Sequence, residues 1–381
     1  MDYTKESFSF KLKKTLRYLK LYGPNRTYIK IKGQYHMNKS FDKLPQNKPN
    51  KNSKKHVGIL GCGNYSYSVI SHYLKKNYGK TIRGAMDIEI NRSASIFEDF
   101  NLDYYTDNSN QIIEDPQIDL IYIASNHYTH AEYAIDALNN DKSVHIEKPH
   151  VVNESQLERL IHAMKKSKGK VRVGFNRPAS RFGKLIEDYL RNEDGSTMIN
   201  WFVAGHEINP DHWYFHDKEG GRVLGNLCHW TDFCYRMIEE DKRYPIRIIP
   251  SRSEKADCDI SVTYVFGDGS IATITFSAKG HTFEGVREKL NLHKGNTLIS
   301  MDDYETMRVD VVEKKRTYRN IFRDHGHELS IKESYAMISK NSDGETMKYI
   351  YETADLFLKT KIALETQKEV TIKPFEESPL F

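Results

Sequence analysis

The sequence predicts an α/β protein with two domains: an N-terminal doubly wound parallel sheet and a C-terminal α+β domain with a largely antiparallel open sheet. The chain of 381 residues exceeds one average domain. From His56 to Phe175, short apolar runs alternate with helical stretches, which is typical of parallel strands joined by crossover helices. Longer strands with period-two alternation follow. The predicted boundaries are an extension over 1–54, a first domain over 55–175 and a second over 176–381.

The extension is strongly basic. Its residues 6–22 place apolar side chains at positions i, i+4, i+8 and i+11 between lysines and arginines, which predicts an amphipathic helix that Gly23-Pro24 ends. Residues 40–55 are typical of a flexible linker. The extension holds 14 Lys and Arg against three acids, so it contributes +11 to a net charge of +5 and leaves −6 for the body. The basic balance therefore belongs to the extension and does not imply nucleic-acid binding.

Three roles remain open for residues 6–22: packing on the body, peripheral contact with the inner membrane surface, and docking to a partner enzyme. Apolar residues within 28–31 and 35–37 favour packing or an oligomer contact. No apolar run approaches the about 18 residues that span a bilayer, and no secretory signal is evident. The four cysteines form no CxxC pair. We therefore expect a cytoplasmic protein with reduced thiols.

Apolar runs predict the strands of the first domain, and one of its helices is clearly delimited. Asn153 is its predicted N-cap, Gln156 completes a capping box, and Gly169 lies beyond its end. The predicted strands are 57–60, 82–86, 120–124, 144–146 and 171–174.

Two β-hairpins predict the antiparallel character of the second domain. Alternating apolar residues over 260–266 and 271–276 flank the turn Gly267-Asp268-Gly269. A second pair, 290–292 and 297–301, flanks residues 293–296. The remaining predicted elements are helices around 182–189 and over 344–366 and a strand over 370–372.

The turn after the first strand is a candidate dinucleotide site. Gly61 allows a tight turn, Gly63 lets the backbone approach a pyrophosphate, and the following helix presents free N–H groups. Asp87 lies 24 residues after Gly63, where its carboxylate can accept hydrogen bonds from ribose hydroxyls. The same charge would repel a 2′-phosphate, so NAD is favoured over NADP. The alternative is a structural strand–helix junction of another α/β protein. The predicted cofactor residues here are Gly61, Gly63, Asn64, Tyr65, Ser66 and Asp87, with Ser66 in place of the usual third glycine or alanine.

Four motifs in order resemble the glucose-fructose oxidoreductase, inositol dehydrogenase and rhizopine catabolism family. Glu147-Lys148-Pro149 resembles its EKP signature, and the other segments are Ser125-Asn126-His127 with His130, Gly174-Phe175-Asn176-Arg177 and the stretch 220–232. The resemblance extends over about 56 to 372 and implies a Rossmann domain followed by a substrate and oligomerisation domain. It adds Ser125, Asn126, His127, His130, Glu147 and Lys148 to the cofactor residues.

The resemblance implies that Lys148 and His229 are catalytic. Oxidation of an alcohol needs a base for the hydroxyl proton, which neutral histidine supplies near pH 7, and an ammonium can stabilise charge on the reacting oxygen. Pro149 is expected to hold the Lys148 backbone in a turn, with a cis bond as one option. The alternatives are a solvated lysine at a strand end and a histidine satisfied on a helix face. We expect no metal, because His206, His212, His216 and His229 lack zinc-site spacing.

One departure from the family bears on the substrate. Many relatives have an aspartate four residues before the catalytic histidine, where this chain has Gly225, while Asp232 on the same helix face is a candidate to orient the imidazole or hold a substrate hydroxyl. Arg177 and Arg222 are candidates to meet a phosphate or carboxylate, or to form surface salt bridges. The predicted substrate residues are Lys148, Asn176, Arg177, His212, Trp213, Arg222, Asn226, His229 and Asp232.

We therefore expect hydride transfer between NAD and a secondary hydroxyl of a sugar or nucleotide-linked sugar, in polysaccharide or glycan precursor metabolism, by a homodimer or homotetramer. One alternative is a catalytically silent NAD- or sugar-binding regulatory or partner protein. Others are an inositol or free-sugar dehydrogenase and an enzyme that recycles tightly held NAD.

Overall fold

The structure is a computed structural model. It describes residues 3–47, 53–209, 211–253, 259–279, 283, 285–339 and 342–377. The chain forms two compact units, one of residues 1–174 with 327–350 and one of residues 175–326 with 351–381. The three described cysteines are buried free thiols, and Cys258 lies outside the described residues.

Ten α-helices and fifteen strands occur in the described part of the chain. The helices are α1 Phe8–His36, α2 His72–Tyr78, α3 Ile90–Phe100, α4 Asn110–Ile113, α5 His127–Asn139, α6 Glu154–Lys166, α7 Arg181–Leu190, α8 Cys228–Arg236, α9 His327–Ala336 and α10 Met347–Thr366. The strands are β1 Val57–Leu60, β2 Ile82–Met86, β3 Tyr104–Thr106, β4 Leu120–Ile123, β5 Ser143–Ile146, β6 Val171–Val173, β7 Thr197–Ala204, β8 Ile246–Arg252, β9 Asp259–Val265, β10 Ile271–Ser277, β11 Arg287–Lys294, β12 Thr297–Asp302, β13 Thr306–Val311, β14 Lys314–Arg319 and β15 Val370–Ile372.

The first unit contains a parallel sheet in the order β3-β2-β1-β4-β5-β6, as the doubly wound prediction requires. Every residue of β1 and β4 is buried, because helices cover both faces of such a sheet. The predicted capping box of α6 is also present. The Asn153 side chain accepts a hydrogen bond from the Gln156 backbone N–H, and Gln156 Oε1 accepts one from Val152 N–H.

The second unit contains a nine-stranded sheet in the order β14-β13-β12-β11-β7-β10-β9-β8-β15. All neighbours are antiparallel except β7 and β10. Both predicted hairpins form, as β9–β10 and β11–β12. Buried residues alternate with exposed ones along β7 and with half-buried ones along β9 and β10, which confirms the period-two prediction.

The extension differs from its prediction. Helix α1 continues to His36, with a break at Gly23, where φ is 74°. The expected flexible linker is held on the first unit where it is described, because Asn47 pairs with the backbone of Tyr105 and the Tyr105 hydroxyl donates to the Pro45 carbonyl. These hydrogen bonds to Tyr105 of β3 hold in place a segment whose composition is typical of a flexible linker. No described helix is long and apolar enough to span a membrane.

The structure also differs from the predicted boundary at residue 176. Residues 327–350 are counted in the first unit, where Ile331 and Met337 join its apolar core. The Tyr122 hydroxyl donates to the Ile331 carbonyl over 2.9 Å, and the ring of Tyr335 stacks on that of Tyr78. Contacts so distant in sequence leave no local pattern, which is why the prediction placed this segment with its sequence neighbours.

Candidate functional site

The turn after β1 has the geometry of a dinucleotide turn. Gly61 has φ of 87°, and a Cβ there would meet the Ala124 carbonyl oxygen at 2.6 Å, so only glycine fits. A Cβ at Gly63 would meet nothing within 4 Å, which leaves open space beside the backbone. The Ser66 hydroxyl donates to the Gly61 carbonyl and closes the turn. These features suit the close approach of a pyrophosphate.

Asp87 lies at the end of β2 and reaches the same turn. Its carboxylate accepts the Cys62 backbone N–H at 2.7 Å through Oδ2 and the Glu89 N–H at 2.9 Å through Oδ1. Two backbone donors therefore fix a buried carboxylate, whose remaining lone pairs can accept ribose hydroxyls. Its charge opposes a 2′-phosphate, so the residues present fit NAD.

The end of α1 supports this turn, which the sequence did not reveal. The Nε2–H of His36 donates to the Cys62 carbonyl at 2.7 Å, while Nδ1 lies 2.9 Å from the Ser95 hydroxyl. Burial lowers the pKa of His36 to about 4, so its ring is neutral at physiological pH. Arg26 donates to the Ser68 carbonyl just beyond the turn. The only sequence signal was the group of apolar residues around 28–37.

Asn64 and Tyr65 serve the turn in different ways. The Asn64 Oδ1 accepts the Ser68 hydroxyl at 3.1 Å, which holds the start of the following helix. The hydroxyl of Tyr65 hydrogen-bonds Glu147 and lies 3.4 Å from His327 Nδ1. Burial raises the pKa of Tyr65 well above its usual value, so the phenol remains a donor. The structure thus gives the Tyr65 side chain a supporting contact to Glu147, and its contact with the cofactor stays a prediction.

The Glu147-Lys148-Pro149 turn follows β5 and is held in place by hydrogen bonds to the side chain of Glu147. The Glu147 carboxylate accepts a hydrogen bond from His145 Nε2 at 3.0 Å and another from Tyr65. Burial alone would raise the pKa of Glu147, but these donors and the charge of Lys148 hold it below its usual range. Glu147 is therefore a buried, ionised brace for Lys148. The Lys148–Pro149 peptide is cis, the option considered from the sequence.

The loop after β4 is tied to the same turn through His130. The ring nitrogens of His130 lie 2.9 Å from the Pro149 carbonyl and 3.0 Å from the Ser125 carbonyl. Burial lowers its pKa, and a neutral ring donates to only one of them. His130 thus links the two loops, and its contact with the cofactor stays a prediction. Asn126 occupies the N-cap position of α5, and His127 is its buried first residue.

In the second unit, the structure corrects the role of Arg177. Its guanidinium donates to both carboxylate oxygens of Glu288, at 2.8 and 2.7 Å, and lies over the Trp230 ring. Trp230 Nε1 donates to the same carboxylate at 2.8 Å. All three side chains are buried. Arg177 is therefore committed to an internal ion pair and not available to a substrate anion. Sequence reasoning missed Glu288, which lies 111 residues away.

Arg222 and Asn176 are likewise turned to backbone groups. Arg222 is buried and donates to the His206 carbonyl, and Asn176 Nδ2 donates to the His325 carbonyl at 2.6 Å. Both side chains hold loops in the second unit, and their contact with substrate stays a prediction. A charged or amide side chain after a strand is equally suited to either role, so the sequence could not separate them.

The segment before and within α8 holds the other predicted substrate residues. Asn226 lies in a π-helical turn, Val223–Leu227, and its buried Oδ1 accepts no hydrogen bond from any described residue. His229 is the second residue of α8, with 9% of its surface exposed beside the ring of Phe175. The Asp232 carboxylate accepts hydrogen bonds from Arg236 Nε at 3.1 and 3.2 Å, so its charge is balanced on α8.

His212 and Trp213 begin a short 3-10 turn, Trp213–Phe215. His212 Nδ1 accepts the Tyr214 N–H at 3.3 Å, and burial lowers the pKa of the His212 imidazole. Within the described ranges, no group of three or more His, Cys, Asp or Glu side chains is placed to hold a metal ion.

The first domain matches a known protein family. Residues 55–175 match the family model of GFO_IDH_MocA, described as an oxidoreductase family with an NAD-binding Rossmann fold. The chain is 25% identical to the oxidoreductase YrbE of Bacillus subtilis over 57% of this chain and 65% of that protein. It is 26% identical to a myo-inositol 2-dehydrogenase of Thermotoga maritima over 36% of this chain and 40% of that protein. These matches span between 40% and 65% of the relatives' length.

Solved structures share the fold of both halves. A levoglucosan dehydrogenase in complex with NADH superposes with a TM-score of 0.71 at 16% identity, over 84% of this chain and 100% of that one. A probable dehydrogenase from Thermotoga maritima gives 0.69 at 18% identity, over 83% and 98%. Likeness at this identity shows the fold alone. With the glycine turn, Asp87 and the Glu147-Lys148-Pro149 turn in place, residues 55–175 form a domain that matches the NAD-binding Rossmann domain of the Gfo/Idh/MocA oxidoreductase family.

Proposed function

We propose that this protein is an NAD-dependent dehydrogenase that oxidises a secondary hydroxyl of a sugar, or reduces the corresponding ketone. The observation that supports this most is the Glu147-Lys148-Pro149 turn, a lysine held at the carboxyl end of β5 in the NAD-binding unit. Ligands of open parallel sheets bind at the carboxyl ends of the strands. Bound NAD supplies the hydride acceptor, so the chain's own residues must bind, orient and deprotonate the alcohol.

Lys148 is assigned to the reacting oxygen. Its ammonium can donate a hydrogen bond that stabilises negative charge as the hydroxyl loses its proton. Glu147 below it is buried and ionised, and its contacts to His145 and Tyr65 fix the backbone from which Lys148 projects. Such support reduces the motion of a catalytic side chain. Precise positioning of the reacting groups accounts for a large part of the rate enhancement by an enzyme.

His229 is assigned to accept the hydroxyl proton, and Asn226 to bind a substrate hydroxyl. Neutral imidazole is suited to proton transfer near pH 7. The buried carbonyl oxygen of Asn226 lacks a donor among the described residues, and a hydroxyl donor would satisfy it. A hydroxyl group of the substrate is therefore suited to Asn226, whereas Arg177 is already paired with Glu288.

The substrate class is proposed as a sugar or nucleotide-linked sugar in glycan precursor synthesis. Relatives in sequence and fold include inositol 2-dehydrogenases and a levoglucosan dehydrogenase, whose names denote polyol and sugar substrates. The absence of the common aspartate at Gly225 separates this chain from the inositol pattern. The same proposal includes three further points. The protein is a homo-oligomer, and Asp232 orients the imidazole of His229 or holds a substrate hydroxyl. His212 and Trp213 contact the substrate.

The experiment is a turnover assay with NAD across free sugars, inositols and UDP- and GDP-sugars, read by the absorbance of the reduced nicotinamide. For the substrate found, Lys148→Ala and His229→Ala are each expected to lower kcat by about 10²–10⁴, the usual contribution of acid–base groups. The matched control is Lys142→Ala, which changes the lysine directly before β5, whose ammonium donates to the Asp115 and Ile118 carbonyls.

NAD binding by fluorescence separates the possible failures. If the protein binds NAD but reduces none of it with any substrate, the dehydrogenase is refuted and a silent binding protein is favoured. If turnover occurs and survives both substitutions, the dehydrogenase stands and the residue assignment is wrong.

A further inference from the structure

The first half of α1 leaves an apolar stripe in solvent. Its four side chains are exposed by 80%, 49%, 58% and 38%, and they are Phe8, Leu12, Leu16 and Leu19. Residues at this spacing share one side of a helix. The buried side of the same half holds Lys14 and Leu21. The stripe is therefore the outward face of a packed helix, and apolar side chains exposed together mark an interaction surface.

Basic side chains border the stripe on both sides. At 100° per residue, Lys11 lies along one edge and Lys13 and Lys20 along the other, and Lys13 and Lys20 are exposed. The extension as a whole has 14 basic residues against three acids. A helix whose apolar face is edged with lysines has the composition of one that lies in a membrane interface.

We propose that residues 8–20 dock this protein on an anionic lipid surface, with Phe8 and the leucines in the acyl boundary and the lysines at the headgroups. This interaction is separate from the dehydrogenase proposal. Charge argues against a second copy as the occupant, because pairing two such helices would bring two extensions of +11 together. An anionic bilayer offers both the apolar layer and the opposite charge that the helix presents.

Co-sedimentation of the full-length protein with lipid vesicles tests this. The protein is expected to bind vesicles that contain phosphatidylglycerol, to release them in high salt, and to leave pure phosphatidylcholine vesicles unbound. Leu12→Ser with Leu16→Ser should weaken binding about a hundredfold, from the lost burial of two leucines. Lys13→Glu with Lys20→Glu should weaken it at least about thirtyfold, at about 1 kcal/mol for each lysine.

Matched controls use equally exposed residues elsewhere. Leu298→Ser on β12 and the pair Lys314→Glu with Lys315→Glu on β14 should bind vesicles as the wild type does, since they lie off the stripe. NAD binding by each variant shows that it is folded.

Three results would overturn the proposal: no binding to anionic vesicles, equal binding to both vesicle types, or wild-type binding by the leucine variant. A leucine variant that dissociates an oligomer, with no vesicle binding by the wild type, would identify the stripe as a protein contact instead.

Discussion

The guanidinium of Arg177 lies over Trp230 with two of its N–H groups on the Glu288 carboxylate, and all three side chains are buried. In the motif, Arg177 is a plausible anion ligand. In the folded chain, its charge is paired with the carboxylate of Glu288, a residue 111 positions away in the sequence. At the residue scale, then, a motif states which side chain is present, and its partner decides what that side chain does.

The same pair gives a stability prediction. Glu288→Gln leaves the buried Arg177 charge uncompensated, and it should lower the free energy of unfolding by about 3–5 kcal/mol. Urea denaturation measures this. The control is Glu369→Gln, which removes an ion pair to Arg247 whose side chains are 42% and 50% exposed, so that screening by solvent makes the expected cost much smaller. Similar costs for the two variants would show that the internal pair is not what stabilises this unit.

At the element scale, the ends of β5 and β6 are fitted to each other. Gly174 follows β6, and a Cβ there would meet Oε1 of Glu147 at 2.5 Å. The glycine therefore leaves room for the buried carboxylate that braces Lys148. From the sequence, Gly174 was part of a motif without a known reason, and the structure supplies the reason.

Gly174→Ala is accordingly predicted to displace Glu147 and with it Lys148. Misplacement of a reacting group by about 1 Å can cost about a hundredfold in rate, so kcat should fall on that scale. The measurement is steady-state turnover of Gly174→Ala, Glu147→Ala and the double variant. If the glycine acts through the carboxylate, the double variant loses little more than Glu147→Ala alone, whereas additive losses would contradict this account.

At the scale of the whole molecule, neutral histidines that are buried or half-buried contribute to the response of the first unit to acid. Burial lowers the pKa values of His36, His72 and His150 to about 4 each. In the unfolded chain these rings take up protons near pH 6.5. Their contribution to stability is therefore complete above about pH 6.5 and is lost as the pH falls toward 4.

Stability should thus decrease between pH 7 and pH 5, by about 2 kcal/mol for a single fully buried ring. His36→Gln retains a donor for the Cys62 carbonyl and an acceptor for Ser95, but it does not titrate. Urea unfolding at both pH values should show a pH dependence smaller by about that amount in the variant. An unchanged dependence would mean that His36 does not contribute to it.

Much of the architecture followed from local patterns. The apolar runs of the first unit and the hairpins of the second are visible because a strand repeats every two residues and a turn needs particular residues. The extension was predicted less well. Its charge and linker-like composition are local, but the contacts of His36, Arg26 and Asn47 with the first unit join residues 26 to 58 positions apart.

The sequence by itself determined the order of elements, the glycine turn, the position of Asp87 and the Glu147-Lys148-Pro149 turn, because each depends on residues close together in the chain. Only the tertiary structure decided which predicted site residues are internal supports. Tyr65, His130, Arg177 and Arg222 have chemistry that suits a ligand or a brace equally well. What separates the two is the partner that folding brings within hydrogen-bonding distance, and that partner lies where no local pattern can show it.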